Sequence, residues 1–167
     1  MTPIGHASIS IIIRKFLNKL PLLPLIVGGI LPDIDFVFVY FPWFNSIHRV
    51  YTHNILFVLI GGLLCFLWKN ENYKNAFIAL LIGGFAHLFI DIILDSNPSN
   101  GIGIALLFPY SSEVYSPFNL IPQSNFTNAW DINNGKFANS IFSIVIEIPF
   151  WIVAAYFYLK RKGELDF

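Results

Sequence analysis

The chain has 167 residues, of which 56% are hydrophobic, 17% aromatic and only 12% charged, whereas soluble domains average about 45–50% apolar and about 25% charged. Disorder is excluded by the apolar content, and ten Lys+Arg against ten Asp+Glu with a mean hydropathy of +0.65 exclude the basic footprint of a DNA or RNA binder. So few charges can hardly cover a soluble surface, so the expected solvent is the bilayer and the expected organisation a single membrane-embedded domain over residues 1–167.

In chain order, the first apolar stretch, Ala7 to Leu17, follows His6 and is too short to span. Arg14 and Lys15 come after an apolar stretch rather than before one, and no small-residue exit follows Leu20 to Leu31, so no cleaved signal peptide is expected. Four longer uncharged runs follow: Leu20 to Pro32, Val50 to Trp68, Asn75 to Ile90, and Phe137 to Leu159, whose single charge is Glu147. A spanning helix needs about 20 mainly apolar residues. The second and fourth runs qualify directly, the first when extended to Tyr40 and the third when extended to Leu94. The predicted fold is therefore all-α, a multi-pass bundle of about four spans plus a short N-terminal helix. The connection from Asp95 to Lys136 is rich in Asn, Ser, Pro and Gly and reads as a long loop between the third and fourth spans. Cys65 stands alone in the second run, which excludes an intrachain disulfide or a thiolate metal cluster. Gly pairs recur in Leu25 to Leu31, Leu59 to Leu64 and Leu81 to Ala86, where small residues let membrane helices approach closely.

Lysine and arginine cluster at Arg14, Lys15 and Lys19, at Lys69 and Lys74, and at Lys160 to Lys162, which places these three ends together on the cytoplasmic side. At a rise of about 1.5 Å per residue, Asp33 lies roughly 21 Å from Lys19, His53 roughly 24 Å from Lys69, His87 roughly 20 Å from Lys74 and Glu147 roughly 20 Å from Lys160. Each segment thus puts its ionisable residues at one depth towards the opposite face. All four histidines, His6, His48, His53 and His87, fall in that layer with Asp33, Asp35, Asp91, Asp95 and Glu147. Ionisable groups in membrane segments are costly unless they pair, bind ions or line a wet cavity, and histidine with carboxylate is the donor set of zinc and its neighbours.

Within the layer, His87 and Asp91 stand at i and i+4 and share a helical face. Asp33 and Asp35 point the same way if their segment is extended and diverge if it is helical, and one of them is expected to bind metal directly. His48 and His53 would sit roughly 140° apart on an α-helix, so both reach one ion only if His48 precedes the helix; His53 is ranked first, with His48 and Asp35 as supporting or alternative ligands. Glu147 lies inside an otherwise uncharged span, where it must protonate or find a cation. Arg49 either pairs with a surplus carboxylate or clamps an anionic substrate such as a phosphate, with Thr52 as a supporting donor.

The succession Gly5-His6, Leu31-Pro32-Asp33-Ile34-Asp35, His48-Arg49-Val50-Tyr51-Thr52-His53-Asn54, His87-Leu88-Phe89-Ile90-Asp91, Gly101 and Phe108-Pro109 resembles the bacterial and archaeal inner-membrane proteins of the YdjM-like type, described as membrane-bound metal-dependent hydrolases. The order His, Asp, His, H-x-x-x-D, Glu is also similar, more remotely, to zinc-dependent phospholipase C and related phosphoesterases. That likeness implies one metal held by Asp33, His53, His87 and Asp91, with Asp91 bridging to a second held by His6 and Glu147. The chain departs from the pattern in having no histidine after His87.

The expected function is hydrolysis of a phosphoester, on a lipid or lipid-linked substrate, by water activated at one or two divalent ions, most simply Zn2+, with Mn2+ or Fe2+ as alternatives. Asp35 or Asp95 would serve as general base and Arg49 would stabilise the phosphoryl oxygens. The expected location is the inner membrane with the site facing the non-cytoplasmic side. A non-catalytic membrane protein with a structural metal, or a metal or proton transporter, would use the same residue types, although transport sites usually lie near the midplane between inverted repeats.

Overall fold

Pro32 decides the shape of the first apolar segment. A proline has no N–H to donate and its ring crowds the carbonyl four residues back, so a helix cannot run unbroken from Leu20 to Tyr40. The computed structural model, which describes residues 1–41, 43–63, 73–94, 103–117 and 137–165, has α2 over Leu22–Ile30, then a 3-10 helix over Leu31–Phe38. The Leu31 N–H already turns back to the Gly28 carbonyl at the junction. The expectation of one continuous span here is corrected: nine α-helical residues rise only about 14 Å.

The other elements follow local signals. The helix α1, Pro3–Phe16, opens with Thr2 as its cap, whose hydroxyl accepts the Gly5 N–H at 3.2 Å, and with Pro3 in its first turn. It closes with Arg14 and Lys15 in its last turn, where cations suit the helix dipole. After a short α3, Phe44–Ile47, the chain makes one π-helical turn, His48–Thr52, before α4, Ile55–Leu63. Asn54 caps α4 by accepting the Phe57 N–H at 2.7 Å, and its amide donates to the carbonyls of Val50 and Tyr51 at 3.0 and 2.9 Å. The helix α5 spans Tyr73–Leu94 and α6 spans Phe137–Leu165. No sheet occurs among the described residues, only a bridge between Ile104 and Tyr115. The fold is mainly helical, as expected.

The central packing is α2 against α5, with α1 on α2, α6 on α1 and α4 on α5. Two glycines make the α2–α5 approach: a Cβ on Gly28 would run into the Leu80 carbonyl, and one on Gly83 into the Leu25 carbonyl. Each helix therefore meets the other's bare backbone. The strap 103–117 lies against α4, α5 and the π turn: Ile104 joins Val58 and Leu88 in an apolar cluster, Ala105 N–H donates to the Arg49 carbonyl at 2.9 Å, and Ile55 N–H donates to the Leu106 carbonyl at 3.1 Å.

Among the described residues, α5 is the helix long and apolar enough to cross a membrane, and only 33% of its apolar window is buried. A soluble core helix would be mostly covered, whereas this one turns much of its surface outward. Its 22 residues reach about 33 Å, against a hydrocarbon thickness of about 30 Å. The large side chains Phe16, Leu23, Val37, Phe89, Ile152 and Leu159 are exposed, while His6, His53, His87, Glu147 and Asn54 are buried. Polar groups inside and apolar groups outside invert the soluble pattern and suit a lipid solvent.

Candidate metal centre

Five side chains converge from four elements. His6 comes from the first turns of α1, Asp33 from the 3-10 helix, His53 from the link between the π turn and α4, and His87 and Asp91 from successive turns of α5. His6, Asp33, His53 and His87 are 5% exposed or less. Their donor atoms fall in two overlapping groups, Asp33–His53–His87 and His6–His87–Asp91, each with all its atoms within 4.8 Å of one another.

The rings are oriented from behind. The Nδ1–H of His87 donates to the Gly29 carbonyl at 2.7 Å, which is within reach because Gly28 and Gly83 let the two backbones touch. The Nδ1–H of His53 is 2.9 Å from the His48 carbonyl and 3.0 Å from the Thr52 hydroxyl. A carbonyl can only accept, so each Nδ1 carries a proton, and in its neutral form each ring presents a lone pair at Nε2. Those two Nε2 atoms lie 3.0 Å apart. Asp91 Oδ2 is 3.3 Å from both, and Asp33 Oδ1 is 3.4 Å from His53 and 3.8 Å from His87. Two Nε2 atoms at this distance beside two carboxylates need a cation between them, either a proton shared by the rings or a metal ion.

His48 repeats the pattern. Its Nδ1 is 2.7 Å from Asp35 Oδ1, and its Nε2 is 3.7 Å from Asp33 Oδ1. The expected divergence of His48 and His53 does not occur, because a π turn closes over five residues rather than four and puts positions five apart on one side; their ring centroids are 4.4 Å apart. Asp33 and Asp35 likewise share a side although their segment is helical: Asp33 faces the three histidine Nε2 atoms, and Asp35 holds His48 and accepts from the Thr52 hydroxyl at 3.2 Å.

The remaining polar atoms test whether a metal fits. His6 Nδ1 and Asp33 Oδ2 are buried and have no hydrogen-bond partner among the described residues, and His6 Nε2 has only an ion-pair contact, an expensive state in an apolar interior. His6 stacks on His87 with centroids 3.6 Å apart and brings its Nε2 to 3.2 Å from Asp91 Oδ1, which also lies 3.0 Å from the Met1 amino group. Burial, opposed by the Asp91 carboxylate, pushes the His6 imidazole down to about 4, and burial also lowers His48 despite Asp35. Both rings are therefore held in the neutral form that binds metal. Imidazoles and carboxylates gathered in this way fit a divalent ion of the zinc group. The two groups share His87, whose single free Nε2 serves one ion at a time.

Other candidate residues stand outside these groups. Glu147 is buried and accepts from the Thr2 N–H at 2.6 Å and from the Thr2 hydroxyl, so it braces the start of α1. Thr52 is buried with its hydroxyl 2.8 Å from the His48 carbonyl as well as beside Asp35 and His53. Arg49 stands in the π turn, tied to the strap through its carbonyl. Asp95 and Gly101 lie outside the described residues, as do Lys69, Cys65 and most of the Asp95 to Lys136 loop. Two supporting positions escaped the sequence reading, the Gly29 carbonyl and Asn54. The first leaves no side-chain signal. The second has one, an Asn directly before an apolar run.

The comparisons with known proteins agree with this picture of an oily helical chain. The model of the family described as YdjM inner membrane protein matches residues 1–162. The chain is also 28% identical over 134 residues to the Inner membrane protein YbcI of Escherichia coli (strain K12), an alignment covering 75% of this chain and 78% of that protein. No solved structure matches.

Proposed function

From the premise that the chain belongs to the YdjM inner membrane protein family, we propose that it is a membrane-bound metal-dependent hydrolase acting on a phosphoester, with a lipid or lipid-linked molecule as substrate. The observation that carries this reading is the 3.0 Å approach of the His53 and His87 Nε2 atoms, each ring already committed through Nδ1 to a main-chain carbonyl. Asp33, His53, His87 and Asp91 are assigned to one divalent ion, with His6 on the far oxygen of Asp91 and His48 as an alternative donor. A second ion would draw on His6, Asp91 and Glu147. Zn2+ suits the donors best, and Mn2+ or Fe2+ remain chemically compatible.

A divalent ion, when bound, supplies Lewis acidity and brings the ionisation of water down to about pH 7. The chain's own groups supply the rest. Asp35, 2.7 Å from His48 Nδ1, can take up or return a proton through that ring. The Arg49 guanidinium is assigned to the phosphoryl oxygens, for which its planar fork is suited, with Thr52 holding His48 and His53 together. Asp95 is a second candidate base. The layer of candidate ligands opposite the cation clusters in the sequence supports a site facing the non-cytoplasmic side, where a lipid headgroup could reach it.

The test is elemental analysis of detergent-purified protein together with turnover of a chromogenic phosphodiester. The reading requires stoichiometric metal, lost in His53→Ala and His87→Ala, and turnover lost in the same variants. Metal without turnover would leave a staple that ties four elements together; a stable metal-free protein would remove the site altogether.

A further inference from the structure

The helical backbone breaks between the π turn and α4, and the break is what presents His53, whose φ of −96° and ψ of 56° lie outside the helical region. A helix that stops leaves its last carbonyls, and the next helix its first N–H groups, without partners, and burying them unpaired is costly. Most of these groups are answered locally. The His48 carbonyl receives the Thr52 hydroxyl and His53 Nδ1–H, Asn54 donates to the carbonyls of Val50 and Tyr51, and the Phe57 N–H goes to the Asn54 side chain. Two are answered from a remote part of the chain, by consecutive residues of the strap: Ala105 N–H donates to the Arg49 carbonyl at 2.9 Å, and the Leu106 carbonyl accepts the Ile55 N–H at 3.1 Å.

The strap also closes a third helix end. The Ser116 hydroxyl donates to the carbonyl of Ile92, which stands in the last turn of α5, one residue beyond Asp91. The two ends of the strap are joined to each other, because Ile104 and Tyr115 exchange main-chain hydrogen bonds at 3.3 and 2.9 Å. Gly103 permits this pairing: its φ is +104°, and a Cβ there would strike the Tyr115 carbonyl.

We propose that the strap 103–117 is the positioning element of the metal centre: by capping the break at His53 and the end of α5 beside Asp91, it sets the separation of these two candidate ligands, and divalent-ion binding and strap docking are coupled. The proposal rests on the assignment of His53 and Asp91 to one ion. Asp91 Oδ2 lies 3.3 Å from His53 Nε2, and the strap holds the main chain within two residues of both. Coupling of this kind is reciprocal, so a docked strap raises the affinity for the ion and a bound ion holds the strap down.

Four variants of the detergent-solubilised full chain isolate the ties. Ile55→Pro removes the N–H that reaches Leu106, at the first position of α4, where proline suits a helix; Ile55→Ala also loses the Ile side chain but keeps that N–H. Ser116→Ala removes the hydroxyl that reaches Ile92, and Ser116→Thr restores one. Affinity for Zn2+, read by competition with a chelating dye, should fall about 10–100-fold in Ile55→Pro and Ser116→Ala and stay near the wild-type value in Ile55→Ala and Ser116→Thr. The visible absorption of bound Co2+ should change in the first pair only, whereas a role confined to stability would lower the melting temperature and move neither readout. Should Ile55→Pro or Ser116→Ala not fold, hydrogen exchange of the wild type decides: Zn2+ should slow exchange of the Ile55 and Ala105 amides by on the order of tenfold and leave the Leu17 amide, at the other end of α1 from His6, unchanged. A wild type that binds Zn2+ with the same affinity as folded Ile55→Pro and Ser116→Ala, or whose strap exchange ignores the ion, overturns the proposal and leaves the metal centre standing. A wild type that binds no Zn2+ removes both.

Discussion

His87 and Gly29 are joined by a 2.7 Å hydrogen bond from the ring Nδ1–H to the main-chain carbonyl, across the closest approach of α2 and α5. The bond sets which nitrogen of His87 is bare and aims it at His53, Asp33 and Asp91. The orientation of the His87 ring therefore depends on how tightly two helices pack, so any metal affinity of this group should follow that packing.

Gly83→Ala should show this dependence. Its Cβ would meet the backbone of Leu25, Gly28 and Gly29, none of which can rotate away, so a loss of about 1–3 kcal/mol is expected, as for overpacked cores. Gly62→Ala meets only the ends of the Leu81 and Phe77 side chains and should be milder. Thermal melts in detergent rank the two, and elemental analysis should find metal reduced in Gly83→Ala and retained in Gly62→Ala. Equal metal content in both would separate packing from binding.

Asp35→Asn and His48→Gln probe the group behind the ligands. Removing a partner that orients a metal ligand typically weakens binding about 10–100-fold. Competition with a chelating dye should show a loss in that range for both variants, with the protein still folded. Complete loss would make His48 an indispensable ligand, and no change would leave it outside the site.

Stability without metal should depend on pH in a direction set by burial. His6 is neutral in the fold down to about 4, whereas an exposed histidine protonates near 6.5. The unfolded chain therefore takes up protons first as pH falls, so the contribution of this ring to stability is level above about 6.5 and declines between about 6.5 and 4, by on the order of 3 kcal/mol. His48, also lowered by burial, adds to the same slope. Denaturation of chelator-treated protein across that window should show a shallower decline for His6→Gln than for the wild type, and parallel curves would contradict the assignment.

Glu147→Gln tests what that acid does. Its two oxygens receive the Thr2 N–H and hydroxyl, and an amide can accept only one of these bonds well, so a stability loss of about 1–3 kcal/mol is expected. The ion at His53 and His87 should remain. A fall in metal content from two ions to one would instead place Glu147 on a second ion.

Parts of this architecture could be read from the chain because they depend on short spacings. The i, i+4 pair His87–Asp91 needs only a regular helix, and α5 is one. The gathering of His6, Asp33, His53 and His87 followed from one shared depth, a property of length along helices. Angular expectations fared worse. The α-helical period misplaced His48 relative to His53, because a π turn intervenes, and the first apolar segment was read as one span, because its hydropathy continues past the point where Pro32 ends the α-helix. Composition records how oily a stretch is, not where its hydrogen bonds change register.

The bond that steadies His87 ends on an atom every residue possesses. Alanine scanning leaves main-chain oxygens untouched, so at position 29 it would report the clash of a new Cβ with Ser10 and the His6 carbonyl and not the support itself. Swapping its peptide link for an ester, which makes the carbonyl a poorer acceptor, is the kind of change that would expose the role.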